Sequence, residues 1–166
     1  TTNTNPSANL TDIAAALRIG DYNSGNNLNG YLDEIRISNS ARYTANFTPS
    51  TAAFTSDSNA KLLIHSNTTH GSTTFTDSAT TGTTHSITAT GNVKHVAPKI
   101  GTGMAVFDGT DYLKVAGRGK ELSLTTNAWT VECWWSTNDI TGTYQGIISG
   151  GAPVGTDGGN NWGVIF

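Results

Sequence analysis

The chain is predicted to be all-β, an antiparallel sandwich, and three observations predict it. Of its 166 residues only 13% are charged and 19 are glycine, while Thr, Ser and Asn fill much of the remainder, a balance that suits pleated surfaces and tight turns. Short runs of alternating apolar and polar residues follow one another, separated by Gly, Asn, Asp or Thr, as in a sandwich. No segment keeps a helical period beyond about one turn. A chain of this length supports one such domain with a real core, since a domain of this size buries roughly 70% of the surface its unfolded chain exposes.

Taken in order, residues 1–9 read as a polar linker, and Asp12 to Leu17 within LTDIAAALRIG as one helical turn. The loop DYNSGNNLNG is rich in residues that tolerate positive φ. It leads into YLDEIRIS, whose alternation places Leu32, Glu34 and Arg36 on one face and Tyr31, Asp33, Ile35 and Ile37 on the other. The next segment is broken at Pro49 and too polar for a central strand, so it is expected to strap the rim with Tyr43, Phe47 and Phe54 as anchors. From Lys61 onward KLLIHS, STTFTDS, HSITATGNV, GMAVFDGTDYLKV, AWTVECWWS and YQGIISGG each read as strands, with a hairpin expected through Asp108 and Gly109. The final NWGVIF reads as half a hairpin with nothing after Phe166 to pair with it.

A formal net charge of -3 and the lack of any basic run give no footprint for nucleic acid or for an anionic membrane surface. No charged-then-apolar leader opens the chain and no apolar stretch approaches the ~20 residues that cross a bilayer, so membrane insertion is not expected. The lone Cys133 excludes an intramolecular disulfide and reads as a small buried hydrophobe.

No catalytic residue is expected. His65, His70, His85 and His95 lack metal-ligand spacing, and no G-x-S-x-G motif occurs. Asp33 and Glu34 are adjacent, so on a regular strand they point apart and cannot work as an acid/base pair. Carbohydrate binding calls for an aromatic face beside polar groups. Trp134 and Glu132 share a strand face and are the candidates, with Val131, Cys133 and Trp135 opposite; burial of both tryptophans in the core is the competing reading. N-x-[ST] sequons stand at Asn9, Asn46 and Asn67.

The run LRIGDYNSGNNLNGYLDEIRISNSARYTANFTPSTAAF resembles the carboxy-terminal end of laminin-G-like (concanavalin-A-like) jelly-roll domains found in tandem on bacteriophage tail fibres and related virion or secreted proteins. The stretch from KLLIHS through AWTVECWWST resembles the amino-terminal half of the same family. The resemblance implies that residues 1–55 close one unit, 56–60 link, and 61–166 open a second unit, with central strands absent and the jelly roll incomplete; one permuted or composite sandwich is the alternative. In such families the first and last strands are neighbours, so residues 31–37 and 61–65 are expected to pair. The resemblance also implies a virion or extracellular location, a homo-oligomer, and partners that are host-surface glycans or neighbouring virion subunits. A carbohydrate-binding module of a secreted bacterial protein and a ligand-free spacer are the rivals. Relatives often hold Ca2+ between first and last strands, which nominates Asp33 with Asp77 or Asp108, although LIHS stands here where relatives have an acidic ending.

Overall fold

The computed structural model describes residues 16–22, 25–98, 100–116, 122, 128–140, 144–150 and 162–165. Ten strands lie among them: β1 (Leu17–Ile19), β2 (Asn29–Ser38), β3 (Ala60–Ile64), β4 (Ile87–Thr90), β5 (Lys94–Val96), β6 (Met104–Asp108), β7 (Tyr112–Val115), β8 (Thr130–Thr137), β9 (Gly146–Gly150) and β10 (Trp162–Ile165). All pairings are antiparallel. One sheet runs β10-β9-β1-β7-β4; the second is built around β2, which pairs β3, β6 and β8, with β5 beyond β6. The fold is thus an antiparallel β-sandwich, and no helix among the described residues is long and apolar enough to cross a membrane. The helical turn expected over residues 12–17 falls largely outside the described residues, and Leu17 itself begins β1.

Side chains from both sheets meet in one core that includes Leu17, Ile19, Leu32, Ile35, Ile37, Leu62, Ile64, Phe107, Leu113 and Ile148. Burial of an aliphatic or aromatic side chain contributes roughly 1.5–3 kcal/mol. Both sheets mix strands from residues 17–38 with strands from later in the chain. The pairing expected between 31–37 and 61–65 is present, with Ile35 opposite Ile64 and Ile37 opposite Leu62.

The alternation expected along β2 is broken at its centre. Glu34 takes φ 51, and the ladder to β8 jumps from Asp33↔Trp134 to Arg36↔Glu132, so Glu34 and Ile35 together face the single Cys133. This bulge resets the faces. Leu32 joins Ile35 and Ile37 in the core instead of siding with Glu34 and Arg36. The same bulge divides one edge of β2, whose first half pairs β6 and whose second half pairs β3.

Two other expectations are corrected by how the chain turns corners. The run 104–115 is not a hairpin: β6 belongs to one sheet and β7 to the other. The run 85–93 likewise yields β4 in one sheet, and β5 follows in the opposite one. Both corners are made of side chains that cap the turn. Asp108 accepts the Thr110 N–H at 3.0 Å, buried Asp111 accepts the Asn92 N–H at 3.0 Å, and the Asn92 amide donates to Asp108 at 2.8 Å. Since β4 pairs β7 and β5 pairs β6, a two-stranded ribbon folds over the end of the sandwich. Gly91 sits at this corner with φ 81, where a Cβ would run into the Asp111 carboxylate.

The expected strand at STTFTDS forms no ladder. Its groups are committed elsewhere: Phe75 stacks on His95 at 4.1 Å, and the Ser78 N–H donates to the Leu63 carbonyl at 2.7 Å. The final run, expected to lack a partner, pairs back on β9 as β10.

Candidate functional site

Beyond the bulge, the ladder between β2 and β8 sets Asp33 opposite Trp134 and Tyr31 opposite Ser136. Residues opposite one another on antiparallel strands share a face, so these four side chains make one patch. Pro98 and Met104 close its far side, leaving a groove of about 520 Å3. Asp33 is buried at its floor, where its Oδ2 accepts the Ile100 N–H at 2.7 Å. An indole face and a phenol beside a carboxylate and a hydroxyl are what a sugar ring needs, apolar faces for its C–H groups and acceptors or donors for its hydroxyls. Neither tryptophan is buried in the core. Trp134 is half-buried and Trp135 is 45% exposed, because β8 pairs only β2 among the described residues.

Glu132, the other carbohydrate candidate, serves a different purpose. Its Oε1 takes two nitrogens of Arg36, each at 2.6 Å, and Arg42 Nε lies 3.5 Å away; its Oε2 accepts the Tyr43 hydroxyl at 2.6 Å. Arg36 also lies over the Phe54 ring at 4.4 Å, and Arg42 grips Asp57 through two bonds of 2.9 Å. That grip holds the Asp57 carboxyl down to about 2, with the Arg42 hydrogen bonds as the largest cause. The Glu132 hydrogen bond in turn raises the Tyr43 phenol, keeping it a donor. The strap over residues 39–59 is therefore pinned by ion pairs and by buried Phe54. Tyr43 anchors it through its hydroxyl bond to Glu132 rather than by burial, and it stacks on Phe47 at 3.7 Å; the two rings are 38% and 54% exposed, so Phe47 is not a buried anchor. No local pattern foretells this cluster, since Arg36 and Glu132 stand 96 residues apart.

The nominated calcium ligands are not brought together. Asp108 caps its turn, Asp33 lies in the groove, and Asp77 is buried under a different loop, where His85 shares its carboxylate. Among the described residues no three His, Cys, Asp or Glu side chains converge as a metal site. Three of the four histidines, His85 among them, are tied to the fold as well. His65 pairs with buried Glu34 at 2.9 Å, and His95 contacts the carbonyls of Ser66 and Thr74 at 2.7 and 2.8 Å; His70 is exposed.

Cys133 packs against the core beneath the bulge. Burial, aided by the Glu132 charge, pushes its thiol up to about 12. Because the thiolate is the nucleophile, native protein at pH 8 is expected to resist iodoacetamide, with alkylation appearing only in denaturant. Rapid modification of folded protein, followed by mass spectrometry, would contradict this.

The fold and groove together define an antiparallel β-sandwich with an aromatic cleft on its outer face. Comparison with family models, with curated proteins and with solved structures finds no match.

Proposed function

We propose that this chain is a non-enzymatic structural and adhesive sandwich of a bacteriophage virion surface, a tail fibre or appendage, that contacts host glycans through the groove beside Trp134. The virion assignment rests on the likeness of residues 17–54 and 61–137 to tandem laminin-G-like units. The glycan contact rests on the Trp134, Tyr31, Asp33 and Ser136 patch. The mixing of early and late strands in both sheets supports a composite jelly roll, in which the close of one family unit and the start of the next pack together. A single shallow groove binds weakly, and repeated copies on a homo-oligomer turn weak contacts into avidity.

The test is retention on a glycan array of protein displayed in many copies, read against Trp134→Ala. Removing the ring is expected to weaken binding at least about tenfold, about 1.4 kcal/mol, with melting temperature nearly unchanged because Trp134 is only half-buried. Equal retention by both proteins would overturn the site, and no retention of any glycan would leave a spacer. Melting with Ca2+ and with chelator tests the ion separately; a raised midpoint in Ca2+ is the result expected if it binds.

A further inference from the structure

Beside β8 the interior of the sandwich opens to the surface. A hollow of about 490 Å3 lies there, and its lining comes from both sheets: Val131, Cys133 and Trp135 from one side of β8, Ile147 and Val164 from β9 and β10. Val131 and Cys133 also pack against the main core cluster, and Trp135 follows them in the alternation of the strand. The strap supplies the rim, where the Tyr43 hydroxyl bond to Glu132 at 2.6 Å holds the Tyr43–Phe47 stack in place. Apolar surface is open on both walls and on the rim: Phe47 is 54% exposed, Trp135 45%, Val164 40% and Tyr43 38%. At about 200 Å2 for each aromatic side chain, the three rings alone leave roughly 270 Å2 open, close to the largest apolar patch of an ordinary monomer, about 300–600 Å2 and often functional.

We propose that this face is where two copies of the chain meet about a two-fold axis, the Phe47 ring of each entering the hollow of the other. The contact goes beyond the glycan reading above and rests on it only for its use, since it supplies the repeated copies that avidity requires. Area favours a second copy. A stable interface buries about 800 Å2 on each side, as an apolar core within a polar rim. The open rings supply about a third of that area as core, and Ser50 and Thr130 beside them supply polar rim. Shape points the same way. In a two-fold contact the same patch meets its own copy, so a ridge standing beside a hollow is self-complementary: Phe47 of one copy packs against Trp135 and Val164 of the other. Charge is compatible with it. Glu132 lines the hollow but brings no bare carboxylate to its own image, because Arg36 holds it at 2.6 Å.

The experiment is sedimentation velocity of the full chain from micromolar to near-millimolar concentration, with Phe47→Asp on the rim, Val164→Asp on the far wall and Ile140→Asp, an 89% exposed side chain outside the hollow, as the control. Wild type is expected to show a reversible monomer–dimer equilibrium. Phe47→Asp and Val164→Asp should each weaken it at least about tenfold, since a carboxylate pressed into an apolar contact is left buried and unpaired, while Ile140→Asp should leave it unchanged. Circular dichroism checks folding, and Phe47→Asp alone decides if Val164→Asp misfolds, because Phe47 is more than half exposed and lies outside any strand. A monomer at every concentration overturns the proposal and leaves the face to a partner of another kind. A dimer that Phe47→Asp leaves intact places the contact elsewhere and overturns it too, as does equal weakening by Ile140→Asp, the mark of unspecific adhesion. Growth past the dimer without limit overturns the two-fold axis. The runs contain no saccharide, so their failure leaves the Trp134 groove standing.

Discussion

Asp77→Ala is expected to cost about 3–5 kcal/mol of folding stability, because several buried donors lose their acceptor at about 1–3 kcal/mol for each group left unsatisfied, and to move the urea midpoint accordingly. Four donors depend on this carboxylate. Oδ1 accepts the N–H groups of Leu63 at 3.1 Å and Ala79 at 3.0 Å, and Oδ2 accepts the His85 N–H at 3.0 Å and His85 Nδ1 at 2.8 Å. The side chains of Asp77 and His85 are fully buried, so water does not replace the lost acceptor. Asp77→Asn should recover little, because its amide keeps one accepting oxygen and turns an NH2 toward donors. The acid response follows from the same contacts. Burial acts to raise the Asp77 carboxyl, but the His85 bond and three backbone N–H bonds outweigh it, and the net shift is downward from 3.8. A lowered folded value means that the contribution is fully present above the ordinary carboxylate range and fades as pH falls through the folded value. The stability gap between wild type and Asp77→Ala should therefore narrow below about pH 4. A gap that stays constant to pH 2 would refute the assignment.

Phe107→Ala should be comparably damaging, about 3–5 kcal/mol. Phe107 is 1% exposed in the main core cluster. Its ring also packs against Gly20, whose φ of 83 leaves no room for a side chain: a Cβ built there runs into the ring. This makes a double-mutant cycle informative. Gly20→Ala alone should destabilise through both the clash and the strained backbone, whereas in the Phe107→Ala background only the strain remains. The two changes should thus sum to less than their separate costs, by on the order of 1 kcal/mol for residues in contact. Strict additivity in chemical denaturation would place the ring elsewhere.

Much of the β-sandwich was legible in the chain because strand signals are local. Leu62 and Ile64, or Leu113 and Val115, alternate as a period of two demands, and each run ends in Gly, Asn, Asp or Ser. What escaped notice depends on which sheet a strand enters. Asp108 and Gly109 look like a hairpin turn in sequence; only the capping of Asp111 onto Asn92 shows the chain crossing to the other sheet. The Glu34 bulge is similarly silent, since one residue of positive φ in the middle of YLDEIRIS leaves no compositional trace. In the groove, Trp134 was readable as an aromatic on a polar face. Tyr31, Ser136 and Met104 were not, for they reach it through pairings between distant parts of the chain.

The position of β2 has a kinetic consequence. Three of the four other strands in its sheet hydrogen-bond directly to it, and β2 ends at Ser38 while β8 begins at Thr130. During synthesis this strand emerges well before β8 and must wait for the residues between them before its second edge is covered. Pairings so distant in sequence close large loops before they yield any contact energy, which slows folding. Until β8 arrives, the edge that will carry Trp134 offers Asp33, Arg36 and the bulged Glu34 to the surroundings. Charged groups on an open edge discourage wrong strands from adding, so the acidic and basic residues that later organise the groove and the strap would first serve as a guard on a growing chain.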